Sequence, residues 1–232
     1  MPHSSEPSDT DPDEPGRDVG APPPADVTAA LTAAIHAPVR KRPKPGERRV
    51  QILQTLATML EQPGAERVTT AALAARLEVS EAALYRHFAS KAQMFEGLIE
   101  FIEHSVFTLI NQIVEREGPP AVQVQKMLTV LLQFAEKNPG MTRVMVGDAL
   151  VFEHERLLTR MNQFFERFES QVRQSLRGVA TQDGSATPTV DANAQASVLT
   201  SFAMGRLQRY ARSGFKREPT EYLDVALRWL AC

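Results

Sequence analysis

Side chains able to contact a phosphate or a base edge are concentrated between Thr69 and Lys91, in the segment TTAALAARLEVSEAALYRHFASK. Near its end, Tyr85, Arg86 and His87 stand together on a helical pattern barely two turns long. A helix this short gains little from its own hydrogen bonds, so neighbouring elements must hold it in place. Its exposed side is therefore a candidate binding surface.

The spacing of this second short helix separates an inner from an outer side. With Leu84 and Phe88 turned inward, Ala82 and Arg86 project most directly outward, flanked by Ala83 and Tyr85. Small side chains permit close approach to base edges, and alanine can contact a thymine methyl group. The pattern predicts that this helix enters the major groove of DNA.

The polar residues around it suit the DNA backbone. Tyr85 and Lys91 can reach phosphates, and Thr69 and Thr70 can offer hydroxyls and helix-terminal amides. Ser80 is a good N-cap for the second short helix. This is helix-turn-helix spacing, with 81–88 as the recognition helix. The competing interpretation is a helical hairpin whose polar ends are merely solvated.

Charge favours the DNA interpretation. Residues 1–26 contain seven Asp or Glu and one Arg, whereas residues 40–91 contain ten Lys or Arg and five Glu. The basic residues are concentrated in VRKRPKPGERR and the motif that follows it. A basic arm beside a helix-turn-helix is the electrostatic pattern of a nucleic-acid-binding protein.

The elements that must position the motif are all helical in period, and no alternating strand pattern is evident. Helices are predicted at about 47–62, 70–77, 81–88, from Ser90 to 115, from Pro120 to Asn138, after GDALVFEHE, and at 191–213 and 220–231, with GVATQDGSATPTVD as a loop. A capping box at Ser90 would place the Gln93 side chain on the Ser90 amide. The predicted inward side of the long helix after GDALVFEHE consists of Leu158, Met161, Phe165, Phe168, Val172 and Leu176. That of the next helix includes Val198, Phe202 and Leu207. The predicted domains are a disordered extension with a basic arm (1–44), a helix-turn-helix domain (45–92), and a helical dimerisation and partner-binding domain (93–232).

Several other classes of function are disfavoured. No run of about 18 apolar residues or secretory signal is present, and Cys232 is the single cysteine, so a cytoplasmic protein without membrane spans is predicted. Glu153, His154 and Glu155 are adjacent and cannot converge on one helical face, which disfavours a metal site. No phosphate-binding glycine loop or nucleophile motif occurs, and neither enzymatic activity nor a cofactor is expected.

The stretch VSEAALYRHFASKAQMFEGLI resembles the DNA-binding domain of TetR-family regulators, with its V-S-x-x-x-L-Y-x-H-F-x-x-K core. The resemblance implies an all-α homodimer that binds palindromic double-stranded DNA through small N-terminal domains. It also implies DNA contacts at Thr69, Thr70, Ser80, Tyr85, His87 and Lys91. Most members are repressors released from DNA by a small ligand.

A wider resemblance, over about residues 45–230, is to the nucleoid occlusion branch of that family. It is carried by SKAQMFEGLIEFIEHS, by EKNPGMTRVMVGDALVFEHERLLTRMNQFFERFESQVRQSLR and by SGFKREPTEYLD. Such proteins bind chromosomal palindromes and, while bound, antagonise the tubulin-like division protein FtsZ. Whether this chain forms a higher-order assembly on DNA stays open. The resemblance nominates Phe101, Val130, Lys137 and Asn138 as partner contacts, in a groove between two helices. Leu109 stands where a basic residue is expected.

Three questions stay open at this level. Phe101 lies beside the apolar stripe of its helix and Phe107 lies off it, which fits a partner site, a second core layer or a dimer contact. The Met and Phe residues of the long helices are interpreted as core and not as the lining of a ligand pocket. If they did line a pocket, the protein would be an inducible repressor, which is the alternative function. The late helices, 191–213 especially, are expected to form the dimer.

Overall fold

The computed structural model describes residues 47–62, 67–116 and 118–230, and all regular structure within these ranges is helical. The predicted all-α class is confirmed. The helices are α1 Glu47–Leu60, α2 Thr70–Arg76, α3 Glu81–Tyr85, α4 Lys91–Glu115, α5 Pro120–Lys137, α6 Pro139–Met145, α7 Glu155–Gln182, α8 Pro188–Arg212 and α9 Leu223–Leu230, with a 3-10 turn at Asp148–Leu150. None of these helices is long and apolar enough to cross a membrane. The predicted extension 1–44 lies outside the described residues.

The first three helices pack around a small apolar centre. α1 buries Ile52, Leu56 and Leu60, and the side chains of Leu73 and Leu84 close against this face from α2 and α3. Burying such side chains stabilises a small helical unit by roughly 1.5–3 kcal/mol each. Both short helices therefore depend on α1 for their position.

α4 leaves this unit and enters the larger helical part, so the predicted boundary at 92 falls in its first turn. Phe95, Leu98, Ile102 and Val106 of α4 are buried. They pack against the apolar faces of α5, α6 and α7, and α7 and α8 lie side by side. Met127, Met141, Met145, Met161, Phe165 and Phe168 are all buried in this core, which is the interpretation that the sequence favoured.

The two parts also meet at a close backbone approach between α1 and α6. A Cβ atom placed on Gly140 would lie 2.0 Å from the carbonyl oxygen of Ala57, so only glycine fits there. α6 was not predicted, because the helix that begins at Pro120 was expected to end at Asn138-Pro139-Gly140 with no further helix directly after it. Pro139 instead stands at the first turn of α6, where its missing N–H costs nothing.

Other predictions about the elements were wrong in detail. Leu158 and Val198 are 46% and 52% exposed, and the adjacent Leu157 and Leu199 are buried in their place. The loop predicted from GVATQDGSATPTVD is mostly helical, since α7 runs to Gln182 and α8 begins at Pro188. Ser90 caps α4 as predicted, but the Gln93 side chain accepts its hydrogen bond from the Ala89 amide at 2.8 Å.

Candidate nucleic-acid interface

The two short helices begin with side-chain caps, and a tight turn separates them. The Thr69 hydroxyl oxygen accepts from the Ala72 amide at 3.2 Å, and the Ser80 hydroxyl oxygen accepts from the Ala83 amide at 3.3 Å. Between them, Glu78 has a φ of 56°, a left-handed conformation that reverses the chain. Each capping hydroxyl accepts through its oxygen, which leaves its O–H as a donor. The predicted Ser80 cap is confirmed.

The end of α3 is fixed from below by α1. Leu84 and Phe88 are each 1% exposed, and the Arg49 guanidinium lies 4.2 Å from the centre of the Phe88 ring. Arg49 also donates a hydrogen bond to the His87 carbonyl. In the sequence, Arg49 is only one cation of the basic segment VRKRPKPGERR. Its structural role depends on a contact 38 residues away, for which no local pattern exists.

The outer side of this unit carries the predicted base-reading residues. Ala82, Tyr85 and Arg86 are exposed, and Ala83 and His87 are half-buried beside them. α3 ends at Tyr85, so Arg86 and His87 lie in the following turn, and the predicted helix 81–88 was too long. The short α3 thus presents two alanines, with an arginine just beyond its end.

A polar cluster joins α2 and α3 at this surface. Thr70 donates to the Glu81 carboxylate at 2.6 Å, and the Tyr85 hydroxyl donates to the Thr70 oxygen at 3.5 Å. Two residues nominated for phosphate contact, Thr70 and Tyr85, therefore meet across the helices. Glu81 was not nominated. Its position in the first turn of α3 suits the positive end of the helix dipole.

Lys91, the remaining nominated residue, forms an ion pair with Glu153 from the turn before α7. Nearby, the exposed Arg67 lies 6.0 Å from the centre of the Phe152 ring. Sequence reasoning missed Arg67, although a cation two residues before the Thr69 cap is a usable signal. The segment before α7 thus touches the edge of the helix-turn-helix unit.

The residues nominated for partner binding lie along α4 and α5 but differ in exposure. Phe101 and Val130 are half-buried and Lys137 is exposed, and the Phe101 and Phe134 ring centroids are 6.2 Å apart. Asn138 is 6% exposed, and its side-chain amide donates to the Phe134 carbonyl at 2.7 Å. The nomination of Asn138 as a surface contact therefore needs correction: its side chain secures the end of α5.

Other residues singled out in the sequence have structural contacts. Phe107 is 4% exposed, 5.3 Å from the Phe164 ring centroid, so it belongs to the core. Leu109 is half-buried. Glu153 pairs with Lys91, and the His154 ring nitrogen Nδ1 accepts from the Arg156 amide as the cap of α7. Among the described residues, no group of three or more His, Cys, Asp or Glu is placed to hold a metal.

Two family models match the chain, one over each part. Residues 52–98 match the model of bacterial regulatory proteins of the TetR family, and residues 120–231 match an SlmA-like model of Tetracyclin repressor-like C-terminal domains. Solved structures share the fold. The ketosteroid regulator KstR2 of Mycobacterium tuberculosis has a TM-score of 0.60 at 20% identity, covering 83% of this chain and 97% of that chain. The regulator FadR of Bacillus subtilis, in complex with stearoyl-CoA, has a TM-score of 0.61 at 12% identity, covering 78% and 96%.

Sequence relatives are much closer. The nucleoid occlusion factor SlmA of Photobacterium profundum is 53% identical over 182 residues, covering 78% of this chain and 92% of that protein. SlmA of Aliivibrio fischeri strain MJ11 is 52% identical over 180 residues, covering 77% and 91%. This identity runs through the C-terminal part as well as the helix-turn-helix, so the chain belongs to the SlmA family of nucleoid occlusion factors, within the TetR family of helix-turn-helix proteins.

Proposed function

We propose that this protein binds palindromic sites on the chromosome as a homodimer and, while bound, inhibits assembly of the division protein FtsZ over the nucleoid. It acts by binding and not as an enzyme, and its location is the nucleoid in the cytoplasm. The observation that carries the proposal is the identity of about half of all residues with SlmA proteins over nearly their whole length.

The DNA-binding part of the proposal assigns roles to the outer side of α2 and α3. Ala82 and Ala83 lie against base edges in the major groove, and Arg86 reaches a base edge or a phosphate. The remaining contacts are to the DNA backbone, from the hydroxyls of Thr69, Thr70, Ser80 and Tyr85 and from His87 and Lys91. Because Arg49 and Phe88 fix the end of α3, the backbone of this turn needs little reorganisation. The Thr70 and Tyr85 hydroxyls exchange their present acceptors, Glu81 and Thr70, for phosphate oxygens.

The dimer interface in this proposal is the outward face of α8. That face is formed by small or apolar residues that are exposed in the single chain: Ala194, Ser197, Val198, Ser201, Met204 and Gly205. Small residues allow two helices to pack closely, and burying Val198 and Met204 would remove exposed apolar surface from water. A two-fold dimer has two recognition helices and therefore fits a palindrome.

The FtsZ-binding surface in this proposal runs along α4 and α5 around Phe101, Val130 and Lys137. At one side of this surface, Phe101 lines an apolar cavity of about 90 Å³ between α1, α4 and α6, together with Val50, Leu53, Gln54, Leu98 and Met141. The buried amide nitrogen of Gln54 has no hydrogen-bond partner. An apolar side chain of the partner would fill the cavity.

Genome-wide mapping of binding sites tests the chromosomal part of the proposal. Many sites spread over the chromosome are expected, with no dependence on nearby promoters. A few sites at promoters, together with a metabolite that releases the protein from DNA, would instead establish an inducible repressor.

A pull-down of FtsZ with and without the specific palindrome tests the partner. Capture should increase with the palindrome present and fall for Phe101→Ala, which removes the aromatic wall of the cavity. Equal capture by wild type and Phe101→Ala would show that the surface lies elsewhere.

A further inference from the structure

The Lys91 side chain is held on one side by protein and open on another. Its ammonium pairs with Glu153 and lies 5.7 Å from the centre of the Phe95 ring. The Glu153 side chain is only 8% exposed, whereas that of Lys91 keeps 25% exposure. Glu153 is thus mostly enclosed, whereas a quarter of the Lys91 side chain stays exposed at the first residue of α4.

The Glu153 carboxylate is attached to a well-fixed backbone. The Glu153 amide donates to the carbonyl of the buried Leu150 at 3.0 Å, and the next residue, His154, caps α7. Arg156, three residues after Glu153, donates a hydrogen bond to the Glu96 carboxylate of α4 at 2.8 Å. Glu153 therefore lies in the turn that precedes α7 and packs against α4, and not on a free loop.

This geometry leaves Lys91 with hydrogen bonds to donate. An ammonium has three N–H groups, and a single carboxylate oxygen engages only one of them. Separating the pair would leave an enclosed carboxylate without its cation, which is strongly unfavourable. The pair is therefore expected to persist when a phosphate approaches. A lysine that is already held also loses less side-chain freedom on binding than a free one.

We propose that Glu153 is a positioning residue for DNA binding, which holds the Lys91 ammonium at the start of α4 in place for a backbone phosphate. A residue of the C-terminal part would then set part of the DNA affinity. The inference rests on the proposed function, because it takes the Lys91–phosphate contact as given.

The test compares the wild type with Glu153→Gln, Glu153→Asp, Lys91→Met and the Lys91→Met/Glu153→Gln double variant. The probe is a palindromic duplex selected from random-sequence DNA on the wild-type protein, with affinity measured by anisotropy from 50 to 200 mM salt. Glu153→Gln should raise Kd about three- to tenfold. It should also shift the salt slope toward that of Lys91→Met, which is expected to be shallower by about 1.8 because a dimer loses two phosphate contacts. Glu153→Asp, which keeps the charge, should recover part of the loss. In the Lys91→Met background, Glu153→Gln should change nothing further.

A matched control comes from the neighbouring ion pair. Glu96→Gln weakens the contact of α4 with Arg156 of α7 by removing one carboxylate, as Glu153→Gln does, and it leaves Lys91 and all cations in place. The salt slope should therefore stay unchanged. Thermal unfolding of every variant separates loss of folding from loss of positioning.

The inference is overturned if Glu153→Gln binds DNA as well as or better than the wild type, or if its effect persists when Lys91 is methionine. If Lys91→Met itself binds like the wild type, the phosphate contact is absent and the inference falls with it. If the wild type selects no DNA at all, the proposed function is what fails.

Discussion

Replacing Gly140 with alanine should loosen the helix-turn-helix unit from the rest of the protein. The new Cβ would lie 2.0 Å from the Ala57 carbonyl oxygen and 2.9 Å from its carbonyl carbon, whereas real Cβ contacts are essentially never under 3.0 Å. The obstructing atoms are backbone inside α1 and cannot rotate away. The two helices must therefore separate by roughly 1 Å.

The expected cost is the difference between two opposing effects. Overpacking of a well-packed contact costs about 1–3 kcal/mol, and Gly→Ala in a helix gains about 0.4–1 kcal/mol through the unfolded state. At the middle of both ranges the net loss is about 1.3 kcal/mol. At about 2–4 °C per kcal/mol for a chain of this size, Tm should fall by about 3–5 °C.

Gly97→Ala is the matched control, because Gly97 also faces α1. Its new Cβ would meet the methyl ends of Leu53 at 3.0 and 3.1 Å, and a flexible side chain can yield where backbone cannot. Urea and thermal unfolding of both variants should show a clear loss for Gly140→Ala and a change within about 0.5 kcal/mol for Gly97→Ala. Affinity for the palindrome should fall only in Gly140→Ala, with an unchanged salt slope because no cation is lost. Equal unfolding curves for the two variants would refute the backbone contact.

Three further predictions concern DNA and the dimer. Thr69→Ala and Tyr85→Ala should weaken binding to all DNA sequences alike in anisotropy titrations, because both residues are assigned to the DNA backbone. Thr69→Ala should also lower the free energy of unfolding by about 1 kcal/mol through the lost cap. A loss of binding confined to one DNA sequence would contradict a backbone role. Replacing the basic residues at 40–44 with serine should flatten the salt dependence by about 0.9 for each phosphate that the arm no longer neutralises, and an unchanged slope would show that this arm does not touch DNA. Val198→Glu should convert the dimer to monomer in analytical ultracentrifugation, because it places a charge in the proposed α8 interface; an intact dimer would place the interface elsewhere.

The sequence predicted the local features of the interface well, because their causes are local. Ser80 caps α3 because a hydroxyl just before a helix can reach an amide three residues ahead. The inward turn of Leu84 and Phe88 follows from helical spacing alone. The DNA-contacting roles of the outer residues remain predictions.

What the sequence could not predict depends on contacts between distant segments. Lys91 and Glu153 are 62 residues apart, and no pattern in either segment indicates their pairing. Phe107 seemed to lie off the apolar stripe of α4, but α7 covers it with Phe164. At Leu157-Leu158 and Val198-Leu199, two adjacent apolar residues fit the helical period almost equally well, so the inward residue was chosen one position off.

Light scattering of purified FtsZ polymers tests the central claim most directly. The protein should reduce polymer scattering strongly when its palindrome is present and weakly when a scrambled duplex of equal length replaces it. A DNA-bound state that binds FtsZ better than the free state would produce this difference. Unchanged scattering at saturating palindrome, in a preparation shown to bind that palindrome, would contradict the account.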